Sequence, residues 1–135
     1  MASANSNLTD SVKEKLAIWN LNSYAEFFMQ IFSKHEADYH KACNRFIEER
    51  KFLIDGLNKT GILKVFPSQA NFLLCEIVSN HTAKELAKQL LCSYNILIKD
   101  CSGKKGFNGK NFIRLAIRNH EDNIKLIEAL NSINK

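Results

Sequence analysis

The 135-residue sequence contains one proline, Pro67, five glycines and one tryptophan. So few chain breakers exclude a collagen-like repeat or a low-complexity chain and confine disorder to the ends. No apolar run approaches the roughly 20 residues that a membrane span requires. No apolar signal segment opens the chain, and none of Cys43, Cys75, Cys92 and Cys101 belongs to a C-x-x-C pair. Free thiols in a reducing compartment are therefore expected, and with them a cytoplasmic protein. Without a secretory signal, the N-x-Thr triplets at Asn7, Asn58 and Asn80 are chance matches to a glycosylation acceptor. The length allows one domain with a core of its own and leaves no room for a second full domain.

The composition is that of an ordinary soluble globular protein, 45% hydrophobic and 24% charged. Nineteen Lys and Arg against 14 Asp and Glu give a formal charge of +5. The cations are spread without a basic block, which points toward anionic partners without specifying one.

Residues 1–15, opening on the small, polar "MASANSN", read as a flexible N-terminal segment or linker, and residues 16–135 as the domain. From about Leu21 to Leu57, apolar residues recur at three- and four-residue spacings, with a polar interruption near Lys34 to Asp38. This predicts one helix, or two in succession, ending near Gly61, with Asn22 or Ser23 as the cap. Phe27, Phe28, Phe32 and Phe46 fall at that spacing and are expected in the core rather than on a base-stacking surface. Trp19, ahead of the helix, is a candidate for docking on another domain or subunit. "ILKVF" and "NFLLCEI" predict two strands joined by "PSQA". "HTAKELAKQLLCSY" predicts a helix capped by Thr82 with Glu85 at its third position. "ILIK" predicts a short strand. "FIRLAIR" predicts another, with Phe112, Arg114, Ala116 and Arg118 on one face and Ile113, Leu115 and Ile117 on the other. "HEDNIKLIEALNSI" closes as an amphipathic helix. The predicted fold is α+β, in the order α-β-β-α-β-β-α, with an antiparallel or mixed sheet of three to four strands packed by helices.

Several residues invite chemical readings. Arg114, rigid on a strand, could take a carboxylate or phosphate through two parallel N–H···O bonds, or could simply be a solvated cation beside Arg118. Lys99, Lys104, Lys105 and Lys110 surround Gly103, Gly106 and Gly109, but the spacing fits neither the Walker nor the dinucleotide pattern, and a solvated hairpin loop is the simpler reading. His35 and His40 lie five apart, about 140° around a helix, and His81 and His120 fall at helix starts, so the histidines predict no metal site. Nothing pairs Cys101 with a particular base, so a structural thiol is expected.

"WNLNSYAEFF" opening a long helix, "PSQANFLL" on a strand, "ILIKDCSGKKGF" leading into "FIRLAIR", and "EDNIKLIEAL" together resemble the C-terminal small domain of class I/II (fold-type I) aminotransferases, near the histidinol-phosphate aminotransferase and threonine-phosphate decarboxylase branch. The likeness spans roughly residues 16 to 134. It implies a domain that binds the substrate carboxylate and closes over the active site. Arg114 would hold the substrate α-carboxylate, fixing which Cα bond lies perpendicular to the cofactor ring. Lys99 stands where this branch usually has arginine and would hold a carboxylate or phosphate without the planar fork. Asn71, with Ser68 in support, matches the active-site side.

The resemblance also implies pyridoxal phosphate in the full-length enzyme and none bound by this segment alone. The Schiff-base lysine, the aspartate on the pyridine nitrogen and the phosphate-binding residues would lie on a large domain ahead of this region. The expected partners are that large domain, an amino-acid or keto-acid substrate and a second copy in a homodimer, with isolated residues 16–135 inactive in transamination. The "WNLNSYAEFF" segment is also reminiscent of chains that join a nucleotidyltransferase to an aminotransferase half. The competing reading is a stand-alone nucleic-acid or anion-binding α/β module, suggested by the +5 charge and disfavoured by the lack of an exposed aromatic β-face pattern. A regulatory or dimerisation module is a third, by fold analogy alone.

Overall fold

The computed structural model describes residues 5–16, 21–107 and 110–134. Trp19 and Gly109 lie outside the described residues. The chain divides into two compact units, Met1–Lys41 and Ala42–Lys135.

In the first unit, Asn5 accepts a hydrogen bond from the backbone N–H of Leu8 and starts helix α1, Ser6–Lys13. The Asn cap satisfies one of the orphan N–H groups of its first turn. Helix α2, Ser23–Lys59, begins where Asn22 Oδ1 accepts from the Ala25 N–H at 2.8 Å. It is one uninterrupted helix of 37 residues. The polar stretch at Lys34 to Asp38 changes its surface but contains no Gly or Pro to break it. The expectation that Phe27 and Phe28 belong to the core is corrected: they are 59% and 55% exposed. Periodicity identifies an apolar stripe but not what covers it; within the first unit Phe28 packs against Phe32 and Phe32 against Tyr39.

The second unit holds the last turns of α2, strands β1 (Leu63–Val65) and β2 (Phe72–Ile77), helix α3 (Ala83–Tyr94), strands β3 (Lys99–Asp100) and β4 (Phe112–Ala116), and helix α4 (His120–Ile133). The four strands form one antiparallel sheet in the order β1-β2-β4-β3. Thr82 and Glu85 complete a capping box at α3, and Asn119 caps α4 through the Asp122 N–H. Asn95 ends α3 in the left-handed conformation, φ 56°, and the Ile96 N–H returns to the Leu90 carbonyl. Of the predicted strand "ILIK" only Lys99 is paired, the strand continuing through Asp100, while Ile98 packs into the core.

Alternation along the strands sorts the two sheet faces. Leu73, Cys75, Ile77, Ile113, Leu115 and Ile117 turn inward and join Leu53 and Leu57 of α2, Leu86 and Leu90 of α3, and Leu126 and Leu130 of α4 in one core. Each such fully buried leucine or isoleucine contributes about 1.5–3 kcal/mol relative to exposure. Gly56 brings α2 close to α4: a Cβ there would collide with the Ile127 side chain. The core cluster draws all three helices to the inward face, which leaves the outward residues of the strands as a separate surface.

Candidate functional site

The outward face carries Phe72, Leu74 and Glu76 from β2, Phe112, Arg114 and Ala116 from β4, and Lys99 from β3, by register. Lys99 stands directly opposite Arg114, and Leu74 flanks Arg114 on the other side. Both cations are exposed. The acid in these outward rows is Glu76, and it is engaged by Lys110 Nζ at 3.1 Å. Among the described residues Arg114 forms no ion pair; its guanidinium carbon lies 5.1 Å from the centre of the Phe72 ring. Lys99 likewise forms none, and the acid it influences is its chain neighbour Asp100.

Asp100 organises the start of the loop. It accepts from the Ser102 N–H at 2.8 Å and the Ser102 hydroxyl at 2.7 Å. Those two bonds, backbone first, hold its carboxyl below the usual range, helped by Lys99 and Lys84. Beyond it, Phe107 lies 4.3 Å from Phe112 and Lys110 returns to Glu76, so the loop folds back over one end of the outward face. Lys104 and Lys105 stay exposed. Cys101 is buried, its Sγ 3.8 Å from the Lys99 carbonyl, a structural setting rather than a nucleophile's.

Asn71 stands at the opposite end of the same ladder. Its carbonyl accepts from the Ile117 N–H at 3.1 Å, one step beyond the Phe72 and Ala116 pair, and its side chain is exposed. The preceding turn is built locally. Ser68 Oγ donates to the Phe72 carbonyl at 2.7 Å and accepts from the Ala70 N–H, while Arg50 of α2 donates to the Ala70 carbonyl and Gln69. Ser68 thus shapes the turn that presents Asn71. The structure brings Arg114 and Lys99 together on the outward face, whereas Asn71 lies at the end of the β2–β4 ladder opposite the inward-facing Ile117 and is not brought beside them.

Sequence reasoning missed Phe72 and the aromatic content of this face. Phe66, Phe72 and Phe112 all lie on it, and none of them is exposed. The rings are not free for stacking, because Phe112 is 7% exposed between Phe66 and Phe107 and Phe72 lies beneath Arg114. The period-two alternation of "NFLLCEI" contains this signal, but only the pairing register shows that Phe72 lies beside Arg114.

A cleft of about 440 Å³ lies elsewhere, between Tyr94, Ile96 and Leu97 on one side and Arg118, Asp122 and Lys125 on the other. It includes none of Arg114, Lys99 or Asn71. Every lysine among the described residues is exposed. An amine that attaches an aldehyde cofactor is typically desolvated in a pocket. The donor set here therefore fits an anionic group approaching an open face and does not fit a cofactor-attachment site. No helix among the described residues is long and apolar enough to cross a membrane.

An antiparallel four-stranded sheet with helices on one face is the α+β fold of an aminotransferase small domain. The decarboxylase structure from Sulfurospirillum multivorans superposes with a TM-score of 0.84 at 29% identity, covering 97% of this chain and 37% of that one. Histidinol-phosphate aminotransferase from Clostridium acetobutylicum superposes at 0.81 with 30% identity, covering 96% and 38%. The chain belongs to the aminotransferase class I and II family, whose model matches residues 8–130. Among curated relatives, the CMP-5'-(3-aminopropyl)phosphonate synthase of Streptomyces rubellomurinus is 29% identical over 132 residues, 98% of this chain and 21% of that protein. The chain thus spans about a fifth of that relative and under two fifths of the solved structures.

Proposed function

We propose that this chain is the substrate-binding small domain of a pyridoxal-phosphate enzyme acting on an amino or keto acid, by transamination or decarboxylation. The observation that supports this most directly is the pair Arg114 and Lys99. They stand on adjacent strands of one open face, and neither is neutralised by an ion pair among the described residues. Arg114 takes the substrate carboxylate bidentately, Lys99 adds a second positive charge, and Asn71 supplies polar contacts at the end of the ladder. The cofactor, when bound, serves as the electron sink for the Cα bond. It belongs to a large domain of a longer polypeptide, a reading supported by the share of each relative that this chain spans. The exposed Phe27 and Phe28 face of α2 suits burial against such a domain. Residues 16–135 on their own are inactive in transamination, and the longer enzyme is a homodimer.

The test uses the complete polypeptide carrying this chain. Arg114→Ala lowers kcat/KM for the amino-acid substrate by at least about 100-fold, as expected for loss of two charge-assisted bonds worth about 1.5–3 kcal/mol each. The cofactor absorbance spectrum stays unchanged. Wild-type kinetics in this variant would refute the assignment.

A further inference from the structure

A guanidinium that waits for a carboxylate must keep its N–H donors unspent and yet stay where the carboxylate arrives. A neighbouring acid would fix its position but consume the donors. An aromatic face fixes it through the cation's charge and leaves every N–H free.

Arg114 is held in the second way. Directly across the ladders it faces Leu74 and Lys99, yet its guanidinium carbon lies over Phe72, 5.1 Å from the ring centre. Phe72 is the diagonal neighbour, two positions along β2 from Leu74, a span of about 7–8 Å that a long side chain bridges. Ala116, directly opposite Phe72, carries only a methyl group and leaves the space above the ring open for the incoming guanidinium. Lys99 repels Arg114 from the β3 side, which reinforces the lean toward Phe72. The lean carries the charge along the ladder toward Asn71, the residue next to Phe72 in sequence and opposite Ile117.

We infer that Phe72 is a positioning residue for Arg114, holding the guanidinium by its face toward the Asn71 end of the ladder and leaving its donors free for a substrate carboxylate. This rests on the substrate-binding reading above. Phe72 touches no substrate on this account; it acts by limiting where Arg114 can be. The aromatic face is the required property, so tyrosine or tryptophan serves in its place and leucine does not.

Two measurements separate this inference from the reading beneath it. In the isotope-labelled chain, the Arg114 Nε–Hε resonance, identified by its loss in Arg114→Lys, is displaced by the ring current of Phe72. Phe72→Leu relaxes that displacement while Phe72→Trp retains it, and an Hε shift unaffected by Phe72→Leu overturns the inference. In the complete polypeptide loaded with cofactor, Phe72→Leu raises KM for the amino acid about two- to fivefold, the range for an exposed cation–π contact, with kcat within twofold. Phe72→Trp restores KM. If Arg114→Ala raises KM and Phe72→Leu does not, positioning by Phe72 is wrong and the substrate role of Arg114 stands. If Arg114→Ala itself changes nothing, the substrate-binding reading fails and this inference with it.

Discussion

Lys99 and Arg114 stand directly opposite one another on β3 and β4, two like charges side by side, neither in an ion pair among the described residues. Like charges in such cross-strand positions destabilise a sheet by about 0.2–1 kcal/mol, less as salt screens them. Lys99→Gln therefore stabilises the chain by a few tenths of a kcal/mol in urea unfolding at low salt, and the gain shrinks at high salt. The same variant weakens binding of an anionic substrate in the complete polypeptide. A loss of stability at low salt would show that the two charges do not repel.

The thiol of Cys75 is pushed up to about 12 by burial in the core. Its folded value exceeds the ordinary 9.0, so above about pH 9 the unfolded state releases a proton that the folded state retains. Stability then falls as pH rises from about 9 to 12. Cys75→Val flattens that alkaline decline, which denaturant midpoints across the range will measure. With a thiol-specific reagent at neutral pH, the exposed Cys92 reacts within the native state, whereas Cys75 reacts only on unfolding.

Asp100 titrates in the opposite direction. Its folded carboxyl lies below the ordinary 3.8 because Ser102 donates to it twice. The bonds are therefore intact above about pH 4 and are lost as pH falls through the folded value. Exchange of the Ser102 amide proton accelerates on that acid limb, and in Asp100→Asn the rate no longer shows the step. A wild-type rate without an acid step would remove Asp100 as the organiser of this loop.

Asn123 is buried, donates to Glu49 at 3.0 Å and to the Arg118 carbonyl at 2.9 Å, and accepts from the Arg118 N–H. Asn123→Ala strands those groups and costs about 2–3 kcal/mol. Asn123→Asp sets a second carboxylate against Glu49 and is destabilised at neutral pH, recovering partly on acidification. A variant as stable as wild type would show that water replaces the lost partners.

Gly56 and Ile127 are coupled by contact. Gly56→Ala collides with the Ile127 side chain, whose Cγ1 lies 2.9 Å from the added methyl position. Overpacking of that kind costs about 1–3 kcal/mol. Ile127→Ala removes every contacting atom of that side chain, and in that background Gly56→Ala is neutral or stabilising through its better helix propensity, by up to about 1 kcal/mol. A double-mutant cycle in thermal unfolding measures the coupling, and additive effects would contradict the close approach.

Much of the second unit was legible in the sequence because the determining physics is local. Thr82 with Glu85 spells a capping box, Pro67 marks a turn, and the alternation of "FIRLAIR" separates Ile113 and Leu115 from Arg114. The short strand expected at "ILIK" pairs only from its last residue, Lys99, because its bounds are set by register with β4 rather than by its own side-chain period. Phe27 and Phe28 misled because a stripe on a helix records that something covers it without identifying the cover.

The sequence by itself determined the element types, the α+β class and the candidacy of Arg114, since caps and side-chain periods act within a few residues. Tertiary structure alone decided the strand order β1-β2-β4-β3 and the register that sets Lys99 against Arg114 and lays Arg114 over Phe72. Register follows from hydrogen-bond pairing between residues far apart in the chain, and a slip of one residue would turn Arg114 into the core.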